Sequence, residues 1–232
     1  MENTIKTKTK TAKKFDTKKL TVLAMFTALG YICLFVCRFK VQFLSLEFKD
    51  IFITMAAFAY GPVAGVFVAL TEALLELFTL SDTGLYGFVM NFAGSASFAF
   101  TAGIIYKYKK NILGAVLGLV SAIVVMTSIM IVMNILVTPY YMKCDTAAVY
   151  QLIPTLLLPF NLIKGLINSA LTLLLYKPVT QAMRAIKILP SSSHSLKFDR
   201  NTIIVTVMAL IMVITSVVVL FNYLNANWSI GK

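Results

Sequence analysis

Apolar runs dominate the chain, at residues 20–37, 84–105, 112–137, 153–176 and 203–221, each bounded by charged or turn-forming residues. A bilayer core of about 30 Å takes about 20 residues at roughly 1.5 Å rise each, so each run is long enough to cross as a helix. Residues 50–80 are also apolar but exceed one span and fall short of two. Tyr60-Gly61-Pro62 lies inside that stretch and is a tight-turn signal that splits it into a short helix and a longer one. Seven helices are therefore predicted. The first follows a basic segment, as in a signal peptide, but no small-residue cleavage site lies behind it, so it reads as a retained helix.

Charge decides between a hairpin and a single span for 50–80. With a hairpin, the basic segments 1–19, 106–111 and 177–200 share one side and gather 15 of the 21 Lys and Arg residues. That side is then cytoplasmic, with the N-terminus in and the C-terminus out. With a single span, Lys107, Lys109 and Lys110 would face the side opposite the N-terminal lysines, and the bias would be lost. The expected organisation is a basic cytoplasmic tail at 1–19, a six-helix membrane substrate-binding domain at 20–177, and a cytoplasmic linker at 178–200. An additional transmembrane helix at 201–224 and an extracellular tail at 225–232 complete it. The fold class is all-α and polytopic.

Composition agrees, with 59% hydrophobic residues, 13% charged and a mean hydropathy of +0.86. This leaves no room for a sizeable extramembrane catalytic unit, a disordered chain or a disulfide scaffold. The net charge of +12 is accounted for by orientation and by contact with anionic lipid or a cytoplasmic partner, without nucleic acid. Cys33 and Cys37, one turn apart in an apolar run, read as buried thiols rather than ligands.

Polar side chains inside apolar helices are costly, so each one needs a reason. If helix six enters from outside near Ile153, Asn161 and Lys164 lie roughly 12 to 17 Å down. Asn91 and Asn134 sit within the outer parts of helices four and five, and Glu72 and Glu76 in the outer half of helix three. The inner halves are nearly all apolar, so the body reads as a cup open to the outside. Asn161, Lys164 and Asn168, at i, i+3 and i+7, share one helix face. They either line a ligand cavity or glue neighbouring helices, with Lys164 paired to Glu72 or Glu76. The two glutamates themselves read as counter-ions, or else as a ligand contact or proton relay. Phe43, Phe48 and their neighbours in the loop 38–49 form an aromatic lid or an interfacial anchor. Ala24 and Ala28 make a small-xxx-small pair that lets another helix approach.

There is no Gly-x-x-x-x-Gly-Lys-[Ser/Thr] phosphate loop, so any transport would draw its energy from another chain. The single histidine, His194, falls in the linker among serines, which leaves no histidine for a metal site or relay in the membrane body. No half-chain repeat is apparent, which argues against a self-sufficient alternating-access carrier.

Leu158-Pro159-Phe160-Asn161-Leu162-Ile163-Lys164-Gly165 resembles the signature of the riboflavin-specific substrate-binding subunits, the S components, of energy-coupling-factor (ECF) vitamin importers. Phe58-Ala59-Tyr60-Gly61-Pro62-Val63-Ala64-Gly65 and Leu85-Tyr86-Gly87-Phe88-Val89-Met90-Asn91-Phe92 are similar to it as well, and the resemblance covers about residues 20 to 188. It implies a six-helix subunit that captures riboflavin outside, associates with a membrane coupling protein (the T component) and two ATPases, and reorients to release the vitamin. By that resemblance Asn161 and Lys164 contact the ligand, with Asn134 as a third contact, and Ala24 and Ala28 match the docking motif of helix one. Where the family shows an acidic residue followed by Ser-Asp and soon a proline, this chain has Leu46-Glu47-Phe48-Lys49-Asp50-Ile51-Phe52.

Isoalloxazine is a flat apolar plate with one uracil-like edge, so its site needs apolar walls and a few amides. Phe43, Leu46, Phe48 and Tyr86 are the wall candidates, with Asn91, Asn134, Asn161 and Lys164 as the polar set. No catalytic residue, metal or cofactor is expected, riboflavin being cargo. The alternatives are an S component for another vitamin or flavin analogue, and an intramembrane enzyme using Glu72 and Glu76 as acid and base.

Overall fold

A computed structural model describes residues 17–41 and 43–185, together with scattered positions between 203 and 222. Most of the predicted N-terminal tail, the extracellular tail, most of the linker and ten of the 24 positions of the seventh helix at 201–224 lie outside the described residues.

The first helix, α1 (Thr17–Val36), leads into a short antiparallel hairpin of β1 (Phe39–Val41) and β2 (Leu44–Leu46), with Phe39 opposite Leu46 and Lys40 opposite Ser45. Next come α2 (Asp50–Tyr60) and α3 (Pro62–Thr79), divided at the predicted turn. Gly61 there has φ 96°, which favours glycine, and Pro62 supplies the first residue of α3 with its φ already set. Helix α4 (Gly84–Tyr108) is followed by α5 (Ile112–Met142), which begins where the Asn111 side chain accepts a hydrogen bond from the Gly114 N–H at 2.8 Å. It ends at Lys143 in the left-handed conformation.

The last described rod, α6 (Thr146–Ala185), joins the helical segments Thr146–Leu152 and Leu158–Ala185 through a π-helical turn, Ile153–Leu157. Pro154 lies within that turn and Pro159 just after it, and neither has an N–H to donate, so the ordinary ladder is interrupted there and a wider turn fits in. The predicted run 153–176 is thus only the centre of this element, which starts earlier and continues past Pro178. Five helices, α1, α3, α4, α5 and α6, are long and apolar enough to cross a membrane, and α2 is a shorter apolar helix beside them.

Two apolar layers hold these elements. In one, Ile53, Met55 and Phe58 of α2 pack with Phe98, Ala99 and Ala102 of α4 and Leu119, Ala122 and Met126 of α5. In the other, Leu44 and Leu46 of the hairpin pack on Val149, Leu157, Phe160, Ile163 and Ile167 of α6. Lipid supplies no hydrophobic drive between helices, so close backbone approach through small residues matters more than bulk. Helices α4 and α5 show this: a Cβ added at Gly118 would lie 2.8 Å from the Ala102 carbonyl oxygen. At the end of the bundle away from the hairpin, Tyr106 and Tyr176 share a hydroxyl–hydroxyl hydrogen bond of 2.7 Å beside the Phe58 ring.

Replacing Gly118 by leucine would drive side-chain atoms into the backbone of α4, which cannot yield as a flexible side chain would. Overpacking of this kind costs about 1 to 3 kcal/mol or more. Thermal unfolding of the detergent-solubilised Gly118→Leu protein is therefore expected to fall by several degrees, and an unchanged midpoint would contradict the close α4–α5 contact.

Candidate functional site

The hairpin, the α3–α4 turn, the start of α4, the end of α5 and the first half of α6 converge on one pocket. Its polar lining includes Asn91 of α4, Asn134 and Thr138 of α5, and Asn161 and Lys164 of α6, with Arg38, Lys40, Ser45, Asp82 and Thr83 nearer the hairpin and the α3–α4 turn. Phe43, Tyr86, Tyr141 and Phe160 supply rings, and Met90 and Met130 flexible apolar surface. Three helices therefore contribute the amides that sequence reasoning singled out. Each is about two turns inside a helix end or deeper, which puts polar groups below an aromatic mouth.

The amides are partly engaged by the fold. Asn134 donates to the Met130 carbonyl at 2.7 Å and its oxygen accepts from the Thr138 hydroxyl at 2.9 Å. Asn161 donates to the Leu157 carbonyl at 2.7 Å, in the π turn. Donation through Nδ2 leaves the Asn161 oxygen and a second N–H for the pocket. Lys164 donates to the Ser45 carbonyl of β2 at 3.3 Å, and Asn168, one turn further, donates to the Glu47 carbonyl at 3.0 Å. The face predicted from i, i+3, i+7 spacing thus clamps the hairpin as well as lining the cavity.

Behind the hairpin lies a charge cluster. Lys49, 1% exposed, sits 2.9 Å from Glu47 and 2.5 Å from Glu76, which are 0% and 2% exposed. Arg38 reaches Glu47 at 3.4 Å and Glu76 at 3.2 Å, and donates to the Leu80 carbonyl at 2.9 Å. Burial alone would push the Glu47 carboxyl up, but Lys49, Lys164 and Arg38 together hold it below its ordinary value. Burial would likewise strip the Lys49 proton, yet Glu47 and Glu76 hold its ammonium well above the usual lysine value. At the rim, Lys40 pairs with Asp82, which lowers the Asp82 carboxyl.

Several expectations are modified. Lys164 does not pair with Glu72 or Glu76: Glu76 is already held by Lys49 and Arg38, and Lys164 turns to the hairpin backbone. Leu46 and Phe48 are absent from the pocket lining, because both are drawn into the apolar layer between hairpin and α6, with Phe48 edge-on to Phe39. Glu72 is fully buried with no hydrogen-bond partner among the described residues, in the space left by the missing side chain of Gly30. Sequence reasoning missed Arg38, Lys40, Asp82, Thr138 and Tyr141 as lining residues. Arg38 and Lys49 carried the only available signal, two basic residues flanking a short apolar loop and two acidic residues one turn apart on the next long helix. Ala24 and Ala28 lie on the exposed face of α1, away from the pocket.

Residues 18–176 match the family model of the ECF transporter, substrate-specific component. The chain is 34% identical over 180 residues to the riboflavin transporter RibU of Staphylococcus aureus, covering 73% of this chain and 94% of that one. It is 26% identical over 184 residues to the riboflavin transporter FmnP of Bacillus subtilis, covering 72% and 96%. A solved S component of a bacterial ECF transporter superposes with a TM-score of 0.62 at 32% identity, over 72% of this chain and 98% of that one.

Removing one partner of a buried ion pair leaves an uncompensated charge and costs about 3 to 5 kcal/mol. Lys49→Met would strand Glu47 and Glu76 with Arg38 alone. It is expected to lower the unfolding midpoint of the ligand-free protein in detergent far more than Lys40→Met at the exposed rim, and equal effects would contradict the buried cluster.

Proposed function

The chain belongs to the substrate-specific components of ECF transporters, and on that premise we propose that it captures riboflavin from outside for import by a separate ATP-driven module. The observation that carries this reading is the meeting of Asn91, Asn134, Asn161 and Lys164, from three helices, in one pocket with aromatic walls. A tricyclic flavin is apolar over both faces and polar along one edge, so it matches rings and methionines on the walls and amides at the base. Asn161 offers acceptor and donor to that edge, and the Lys164 ammonium donates to a ring carbonyl or a ribityl oxygen. Most charged side chains beside the pocket are paired with one another, Lys40 with Asp82 and both Arg38 and Lys49 with Glu47 and Glu76, which suits a ligand without net charge.

Orientation follows from the two ends of the bundle. Lys18, Lys19, Lys107, Lys109, Lys110, Lys177 and Arg184 cluster at the helix ends opposite the hairpin. The positive-inside rule places that end, and the N-terminus, in the cytoplasm, so the pocket faces outward. Energy comes from partners: a membrane coupling protein and two ATPase subunits. Helix α1 offers the docking surface, with Ala24 and Ala28 exposed among Leu20, Met25, Leu29 and Ile32. Two alanines one turn apart let a partner helix approach closely.

Riboflavin titration of the purified protein, followed by quenching of flavin fluorescence, tests the site. Asn161→Ala and Lys164→Ala are each expected to weaken binding about tenfold or more, the cost of a lost hydrogen bond in a buried site. Unchanged affinity in both would remove these residues from the site, and a colourless chain that binds no flavin would remove riboflavin.

Ala24→Trp and Ala28→Trp address docking separately. Both are expected to abolish riboflavin uptake by cells carrying the whole transporter while affinity of the purified subunit stays unchanged, and normal uptake would count against this face as the docking surface.

A further inference from the structure

Glu76 is not among the residues that line the pocket, yet it touches two that are. Its Oε1 accepts from the Asn91 side-chain N–H at 2.7 Å and lies 3.2 Å from the Arg38 guanidinium. Its Oε2 accepts from the Lys49 ammonium at 2.5 Å, on the side away from the cavity. One carboxylate thus stands between a fully buried cation and the polar wall of the binding site.

An asparagine side chain has two ends of nearly equal size, one accepting and one donating, and an isolated amide turns over at little cost. A carboxylate oxygen that accepts draws the NH2 end of Asn91 toward itself. Lys49 and Arg38 can only donate, so both oxygens of Glu76 are engaged as acceptors, Oε2 by Lys49 and Oε1 beside Arg38. The amide oxygen of Asn91 is the end left for the cavity.

We propose that Glu76 is a positioning residue of the ligand pocket, which fixes Asn91 with its carbonyl oxygen presented to a donor N–H or O–H of the bound molecule. The inference rests on the riboflavin reading only for the identity of that molecule. It also gives Lys49 a role: its charge sets the polarity of a group two residues away through the contact chain Lys49–Glu76–Asn91. The loop difference at this position then reaches the pocket without Lys49 touching it.

The glutamine substitution exposes the logic. In Glu76→Gln, Lys49 and Arg38 compete for one amide oxygen; Lys49, the nearer and fully buried donor, takes it, so the new NH2 replaces Oε1 and faces Asn91. Asn91 must then turn its oxygen toward Gln and show the cavity an NH2. Exchanging the pair, Glu76→Gln with Asn91→Asp, conserves net charge and returns an acceptor to the cavity.

The experiment is a set of riboflavin titrations on purified full-length protein, comparing the unmutated chain, Glu76→Gln, Asn91→Ala, their combination, and the exchange Glu76→Gln/Asn91→Asp. Glu76→Gln and Asn91→Ala are each expected to weaken binding about tenfold, and the combination by little more than either alone, since coupled residues are not additive. The exchange is expected to recover affinity to within about threefold of the unmutated chain. If Glu76→Gln costs the same factor with Asn91 present as with alanine there, Glu76 does not act through Asn91 and the inference is overturned. Should Glu76→Gln alone fail to fold, the exchange variant decides: binding no tighter than Asn91→Ala overturns the inference, and tighter binding supports it. An unmutated chain that binds no flavin overturns the riboflavin reading and this inference together, whereas tight binding with independent losses overturns the inference alone.

Discussion

The structure depends on neutralising, inside the protein, the charges of Arg38, Glu47, Lys49 and Glu76. Each of the two glutamates is held by both cations, and Lys49, Glu47 and Glu76 are almost inaccessible to solvent. Such groups are tolerated away from water only when opposite charges lie within contact distance and the remaining polar atoms find partners. The residues come from three places: the end of α1, the stretch between β2 and α2, and α3. Satisfying them therefore sets where the hairpin sits. The backbone of that hairpin is then clamped from the other side by Lys164 and Asn168 of α6. A pocket wall made of a six-residue ribbon would otherwise have little to hold it, since an isolated two-stranded hairpin is marginal on its own.

The same economy of charge explains why the two ends of the bundle differ. At the hairpin end, amides and ions surround a cavity. At the other end Phe58, Tyr106, Tyr176 and Met183 fill the interior, and the two tyrosine hydroxyls satisfy each other. Packed side chains close that end among the described residues, and the pocket opens between the hairpin and Tyr86. Asparagine is suited to such a base because it offers both hydrogen-bond roles without a charge to bury. Three asparagines from three helices can thus be placed in an apolar bundle at less cost than three ions, and the single lysine among them leans on a backbone carbonyl.

Much of this was legible in the chain. Span lengths, the Gly61-Pro62 turn and the shared face of Asn161, Lys164 and Asn168 are local properties, set by rise per residue, backbone sterics and helical period. The convergence of Asn91 and Asn134 on the same cavity was readable from depth alone, because helices of known direction put equal depths side by side. The charge cluster was not. Lys49 and Glu76 are 27 positions apart, and no periodicity within either segment says that they meet; depth suggested Lys164 as the partner of Glu76, and a closer cation took the place. Leu46 and Phe48 were assigned to the wall because aromatic and apolar loop residues suit a flavin. The hairpin has a second apolar neighbour in α6, and burial against it took precedence. The extension of α6 through two prolines was hidden for a similar reason: Pro154 and Pro159 are read locally as helix breakers, whereas a π turn and the packing of Leu156, Leu157 and Phe160 carry the helix through them.

Glu72 is a buried carboxyl with neither a hydrogen bond nor an ion pair among the described residues, and its position says something about α1. This helix packs chiefly against α2 and α3, burying Val22, Phe26, Thr27, Gly30 and Leu34. Most of the rest of its surface is exposed. Where its seam crosses α3, Gly30 has no side chain and the Glu72 carboxyl occupies the vacated space; a Cβ there would fall 2.1 Å from Oε1. Among the described residues no cation reaches Glu72 and no donor meets it. The contact is therefore a polar wedge between two helices rather than an ion pair. A seam built on a glycine notch and a carboxyl holds by shape. It contrasts with the hairpin, which charge holds in place, and it leaves the broad apolar side of α1 facing outward as a surface for lipid or for another helix.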